Sequence, residues 1–240
     1  MSHPIPILMY HQIDAPPPRG TPLRGLVVSP ASFARQMWLL KALGYCGLSM
    51  RDLEPYLSGQ KQGRVVGITF DDGYQNNLHN ALPVLQRYEF TATIYAVSSM
   101  IGGTNSWDQG LVSQKPLMSH SDWSAWISSG MDVGSHTRTH ASLPDLDIAT
   151  ARNEIACSRR DLEQVLGCEV RHFCYPYGRY TTEHAVLARE AGYRTATTTK
   201  RGRVHLDEDS YTLRRIMVAC STNLAMFTAK VLTCYEDRRR

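Results

Sequence analysis

Val65-Val66-Gly67-Ile68-Thr69-Phe70-Asp71-Asp72-Gly73 begins as an apolar run of strand length and ends on two carboxylates and a glycine. A short continuous apolar run that stops at a turn signal reads as a strand buried on both faces, the habit of parallel sheets. Working outward, the same unit recurs. Ile5 to Tyr10, Thr91 to Val97, Met131 to Ser135, His172 to Tyr175, Thr195 to Thr199 and Leu213 to Val218 read as further short strands. Helical patterns lie between them. One opens at Ser29-Pro30, an N-cap followed by proline at the first helical position, with Phe33, Met37 and Leu40 on one face. Others run from about Asn77 to Tyr88, near Ser121 to Ser129, from about Asp147 to Leu166 with a stop at Gly167, and from Thr182 to Ala191 with a stop at Gly192. Strands alternating with helices imply parallel strands joined by crossover helices. About seven such units fit a closed barrel or an open doubly wound sheet. No glycine-rich dinucleotide loop follows the first strand, which favours the barrel.

The 240 residues predict a single domain over 1–240, and 42% hydrophobic with 20% charged residues excludes intrinsic disorder. Ala15-Pro16-Pro17-Pro18-Arg19-Gly20-Thr21-Pro22 is a loop, because its prolines remove amide donors. The net charge of +4 is scattered, without the clustered Lys/Arg and interleaved aromatics of a nucleic-acid binder. Arg238-Arg239-Arg240 reads as the end of a short, solvated basic tail at about 236–240. No apolar run approaches the ~20 residues of a membrane span. The opening residues lack a basic n-region and a small-residue cleavage site, which predicts a cytoplasmic protein, or an envelope-associated one if a leader has been removed. The six cysteines, at 46, 157, 168, 174, 220 and 234, form no Cys-x-x-Cys and are expected to be buried free thiols in a reducing compartment. Oligomeric state is not legible.

Polar residues collect just after the strands: His11, Asp71-Asp72-Gly73, His136-Thr137-Arg138-Thr139-His140 and Tyr175-Pro176-Tyr177-Gly178. In a parallel α/β barrel these positions share the C-terminal rim, where active sites are built. Asp-Asp-Gly also reads as a turn. Adjacent carboxylates repel, however, and a divalent cation would relieve this, one carboxylate ligating and the other staying free as a base. His136 and His140, four apart, would lie ~6 Å apart on a helical turn, close enough to share a metal; capping or surface roles are the bland alternative. Thr137 stands where a zinc protease has glutamate. Two imidazoles and a carboxylate leave a position open for water, the pattern of catalytic zinc, although cobalt, nickel or iron suit the same donors.

Together, Thr69-Phe70-Asp71-Asp72-Gly73, Ser135-His136-Thr137-Arg138-Thr139-His140 and Phe173-Cys174-Tyr175-Pro176-Tyr177-Gly178 resemble, in order and separation, the first three motifs of the polysaccharide deacetylase family. This family is also known as the NodB-homology domain or carbohydrate esterase family 4. The likeness extends from about Ile7 to Val218, and Pro6-Ile7-Leu8-Met9-Tyr10-His11-Gln12-Ile13 resembles the branch that includes poly-N-acetylglucosamine deacetylases. The resemblance implies an α/β fold, a distorted (β/α)7 barrel. It implies Asp72, His136 and His140 as ligands of a divalent metal, Asp71 as general base, and the Tyr177 backbone N–H as oxyanion donor. The implied activity is removal of N-acetyl groups from amino-sugar residues of a polysaccharide or oligosaccharide, with release of acetate. An O-acetyl esterase, or a glycan-binding module without turnover, are the alternatives.

Two departures from the family pattern alter the expected site. Cys174 stands where the third motif often carries arginine, so Arg215 becomes the candidate for orienting Asp71. The late segment Leu213-Arg214-Arg215-Ile216-Met217-Val218 lacks the usual histidine acid. His11, at the end of the first strand, is then the expected acid, an imidazole being able to release a proton near neutral pH; His120 reads as a helix start. Tyr74, Trp107, Asp108, Tyr175 and Pro176 are expected to contact substrate, while Trp123 and Trp126, three apart on a helix, suit core packing for at least one.

Overall fold

Every residue of Val65–Phe70 (β5) is buried, yet the two faces of the strand meet different surroundings. Val66, Ile68 and Phe70 join the large core under the helices, whereas Val65 joins a smaller cluster with Ile7, Tyr95, Cys174 and Leu213. Side chains alternate along a strand with period two, so Gly67, Thr69 and Asp71 share the inner face with Val65. The computed structural model, which describes residues 4–237, shows why both faces are covered: the sheet is closed on itself.

In chain order the elements are β1 (Ile7–Tyr10), β2 (Gln12–Ile13), β3 (Val27–Val28), α1 (Pro30–Ala42), β4 (Cys46–Leu48), α2 (Met50–Leu57), β5, α3 (Gln75–Asn80), α4 (Leu82–Arg87) and β6 (Thr93–Ala96). They continue with α5 (His120–Ser128), β7 (Asp132–Ser135), α6 (Ile148–Leu166), β8 (His172–Cys174), α7 (Thr182–Glu190), β9 (Thr195–Arg201), β10 (Leu213–Met217) and α8 (Leu224–Leu232). Seven strands close a parallel barrel in the order β1-β5-β6-β7-β8-β9-β10, with β1 pairing both β5 (Leu8 opposite Ile68) and β10 (Leu8 opposite Ile216). The (β/α)7 barrel expected from the sequence is therefore present. Its distortion has a local cause. β4 pairs with the first half of β5 (Cys46 opposite Val65) and accepts the Thr91 amide through Gly47, so it sits where β6 would otherwise run. β6 meets β5 only at Thr69 and Phe70.

Several expectations shift in detail. The helix expected from Asn77 to Tyr88 is two, α3 and α4, separated at Ala81, because Pro83 has no amide hydrogen to continue the first. The long helix is as expected, with Asp147 accepting the Ala149 and Thr150 amides and Gly167 ending it at a φ of 65°. β2, β3, β4, α2 and α8 were not anticipated. Trp123 and Trp126 are both core residues, the Trp126 indole donating to the Asp132 carbonyl at 2.9 Å. All six cysteines are free, but only Cys174 is buried; Cys46 is exposed and the rest are half-buried, so the expectation of buried thiols holds at one position. Of the expected tail, Arg238-Arg239-Arg240 lie outside the described residues. Glu236 is not solvated: it is fully buried against Lys230 and Arg201.

Candidate active site

Inward-facing positions at the strand ends build the site. Continuing the alternation past each strand puts His11 after β1, Asp71 after β5 and His136 after β7 on the inner face, with Cys174 on β8 and Arg215 on β10. Asp71 keeps its amide in the ladder, donating to the Tyr10 carbonyl at 3.0 Å. Its carboxylate receives both arms of the Arg215 guanidinium, Nη1 to Oδ1 at 2.6 Å and Nη2 to Oδ2 at 2.7 Å. Arg215 is itself fixed: Nε donates to the Thr198 carbonyl at 2.9 Å, Nη1 to Thr69 Oγ1 at 3.1 Å, and Nη2 lies 3.1 Å from Cys174 Sγ. The arginine missing at position 174 is thus supplied from the last strand, and the small thiol leaves room for it. Burial alone would raise the Asp71 pKa, but the Arg215 charge and hydrogen bonds, joined by His11 and His136, hold it below the usual carboxylate value. Asp71 is an anion at neutral pH.

Asp72 leaves the strand at φ 77°, in the left-handed region that a residue with a Cβ occupies only when its surroundings impose it. The turn points its carboxylate away from Arg215 and toward two histidines, Oδ1 lying 3.5 Å from His136 Nε2 and 3.3 Å from His140 Nε2. The histidines do not lie on a helical turn, as their spacing suggested. Residues 136–140 form an irregular loop with left-handed φ at Thr137 (65°) and His140 (62°), and the imidazoles meet edge to face, 4.9 Å between ring centres. Each ring is held by its far nitrogen: His136 Nδ1 donates to the Cys174 carbonyl at 2.7 Å, and His140 Nδ1 lies 3.1 Å from the Tyr177 hydroxyl. That leaves both Nε2 atoms turned to Asp72. Burial lowers the His140 pKa, favouring its neutral ring, whereas Cys174 and the neighbouring carboxylates outweigh burial at His136 and raise its pKa, so the two rings differ in their hold on a proton.

This donor set fits a divalent cation. Donors about 2.0–2.1 Å from a tetrahedral zinc stand about 3.3–3.4 Å from one another; the two distances from Asp72 Oδ1, 3.3 and 3.5 Å, lie close to that spacing, and the three donor atoms fall within 4.8 Å of one another. The orienting bonds on the far nitrogens are the outer support that metal-binding histidines need.

His11 emerges on the same rim, half-buried, with Nε2 3.9 Å from Asp71 Oδ2. Its backbone carbonyl, rather than its ring, is the group anchored to Asn77, at 2.7 Å. His120 is the exposed first residue of α5. Trp107 is half-buried and lies flat on the His140 ring, centroids 4.4 Å apart and planes 19° apart, so it walls the triad. Asp108, next to it, accepts from Asn105 Nδ2 at 3.2 Å. Tyr177 stays exposed at a φ of 59°. Tyr74 is buried on the floor of a cavity of about 300 Å³ shared with Gln12, Asp14, Asn105 and Asp108. Two expected substrate contacts are corrected. Tyr175 faces outward from β8 into the core, stacked on Tyr180 with its hydroxyl donating to the Tyr211 carbonyl, and Pro176 is buried beside it. The sequence reading missed Thr69 and the Thr198 carbonyl, which hold Arg215; nothing in an alternating strand marks one threonine from another.

Known proteins resemble the chain in sequence and in fold. The family model for polysaccharide deacetylases matches residues 58–196, which include Asp71, Asp72, His136 and His140. YxkH of Bacillus subtilis is 30% identical over 229 residues, covering 95% of this chain and 76% of the relative. The poly-beta-1,6-N-acetyl-D-glucosamine N-deacetylase of Staphylococcus epidermidis is 28% identical over 206 residues, covering 82% of this chain and 70% of its own. The crystal structure of a polysaccharide deacetylase from Bacillus cereus superposes with a TM-score of 0.81 at 29% identity, over 95% of this chain and 69% of that one. On its strand-end motifs, its closed barrel and these matches, the chain belongs to the polysaccharide deacetylase family.

Proposed function

We propose that the protein is a metal-dependent hydrolase that removes N-acetyl groups from amino-sugar residues of a glycan. The observation that carries this reading is the division of labour between neighbouring carboxylates. Asp72 faces two imidazoles at ligand spacing, while Asp71 is held apart as an anion by Arg215. A divalent cation held by Asp72, His136 and His140, zinc being the best match to the donors, would polarise the acetyl carbonyl and acidify a water. Asp71 accepts the proton of the attacking water, its fixed carboxylate being ionised across the neutral range. The Tyr177 backbone N–H donates to the oxygen on which negative charge develops; a donor of this kind contributes about 3–4 kcal/mol. His11 hands a proton to the departing nitrogen as the carbon–nitrogen bond breaks, so the products are acetate and a free amine. Trp107 and Asp108 line the approach to the triad, and Tyr74 the adjoining cavity, as substrate contacts. The Staphylococcus epidermidis relative supports the amide over an O-acetyl ester as the bond cleaved.

The test is acetate release from N-acetylglucosamine oligomers by native, chelator-treated and zinc-restored protein, with His11→Ala alongside. Activity should vanish on chelation and return with zinc, and His11→Ala should lose about 10²–10⁴-fold in turnover while keeping its metal. Full activity after exhaustive metal removal would defeat the metal reading. Near-native turnover of His11→Ala would remove that residue as the acid.

A further inference from the structure

The 136–140 loop carries two of the three proposed ligands and two left-handed residues, so something must hold it. Its carbonyls are held from one side: Thr137 accepts the Ser98 amide at 3.1 Å and Arg138 the Ser99 amide at 3.0 Å. Its donors are held from the other by one side chain on α6. Glu154 Oε2 accepts the Arg138 amide at 2.9 Å and the Thr139 amide at 3.0 Å, and Oε1 accepts the Thr139 hydroxyl at 3.0 Å. Two residues one and two turns on along the same face of α6 continue the contact. Ser158 Oγ bonds Ser135 Oγ at 2.6 Å at the end of β7, and Asp161 Oδ2 accepts Arg138 Nε at 2.9 Å.

We infer that Glu154 is a positioning residue for the metal centre, a carboxylate clamp on the tip of the loop whose two ends are His136 and His140. A carboxylate can take three donors at once, and charge makes each bond stronger than its neutral counterpart. Without it, the amides of Arg138 and Thr139 would be free to turn to solvent, and the loop would relax from the left-handed angles that aim both Nε2 atoms at Asp72. The consequence is loss of preorganisation for the cation rather than loss of the fold, since Glu154 is only half-buried on a long helix anchored elsewhere by Ala151, Ile155 and Leu162.

This inference rests on the proposed metal reading, and the experiment separates the two. Zinc affinity is measured by chelator competition on the wild type, Glu154→Gln, Glu154→Ala and His140→Ala, together with hydrogen exchange of the Arg138 and Thr139 amides in the metal-free proteins. We expect Glu154→Ala to speed exchange at both amides and weaken zinc about 10–100-fold, and Glu154→Gln, which retains one acceptor oxygen, to recover part of each. A Glu154→Ala protein that binds zinc like the wild type overturns the positioning role while leaving the metal reading intact. Equally, unchanged exchange at Arg138 and Thr139 shows that the clamp does not hold the loop. A wild-type chain that binds zinc no better than His140→Ala overturns the metal reading and this role with it.

Discussion

Arg215 and Asp71 are 144 residues apart in the chain and meet in the barrel interior, where neither is tolerable alone. Removing one partner of a buried ion pair leaves an uncompensated charge and costs about 3–5 kcal/mol. Arg215→Met should therefore lower the melting temperature and leave Asp71 in surroundings that favour its protonated form. Acetate release should then fall by at least about 10²-fold at neutral pH, general-base loss being of that order. Arg215→Lys restores a charge but not the two-armed fork, and should recover stability more than rate. Thermal unfolding and turnover of both variants check this; a fully active Arg215→Met protein would show that Asp71 needs no partner. The carboxylates and histidines of the site were readable beforehand because polar residues after apolar strands stand out against their surroundings. Glu154 was not, since an acidic residue on an amphipathic helix looks like any solvated position until the loop it faces is placed.

Among the elements, the strands carry the site by alternation, and their inner face has little spare volume. Tyr95 on β6 fills the barrel interior, its ring close to Arg215 and pressed against Gly134 on β7. A Cβ on Gly134 would overlap the Tyr95 ring and come within 2.9 Å of the His172 carbonyl on β8, a backbone atom that cannot step aside. Gly134→Ala is thus expected to destabilise by about 1–3 kcal/mol through overpacking, despite the usual preference for alanine over glycine. Because Gly134 sits two residues before His136, zinc affinity should fall as well. Urea unfolding of the variant checks the first effect, and an unchanged midpoint would mean that Tyr95 moves freely. The strand–helix order and the helix caps were legible from local signals such as Ser29-Pro30, Asp147 and Gly167. β4 was not, because Cys46-Gly47-Leu48 is only three residues long with a glycine at its centre, too short to show a period; its pairing with the first half of β5 becomes visible only once β5 is placed. The conformation of the 136–140 loop was not legible either, since a spacing of four is compatible with a helix but does not require one.

At the scale of the whole molecule, closure depends on the two ends of the described chain. β1 is the seam between β5 and β10, and the segment after α8 returns to brace the β9–β10 end of the barrel. Glu236 is the anchor. It is fully buried, accepts Arg201 Nε at 2.7 Å and pairs with Lys230, whose ammonium also donates to the Met217 carbonyl at 2.9 Å. Burial works to raise the Glu236 pKa, but the hydrogen bonds and charges of Arg201 and Lys230 outweigh it and hold the group below its usual value. A carboxylate depressed in the folded state adds stability in full above its unfolded pKa of about 4.3, and that contribution is lost as pH falls from there through the folded value. Glu236→Gln removes the charge at every pH, so it should cost about 3 kcal/mol at pH 7, where the buried Lys230 loses its counter-ion. The gap between wild type and variant should then narrow as the pH is taken below about 4, where the wild-type chain loses the same contribution by protonation. Urea midpoints of both proteins at pH 7, 5 and 3.5 measure the gap, with acetate release at pH 7 as the control for the distant site. A gap that stays constant with pH would show that Glu236 braces the barrel by packing and not by charge.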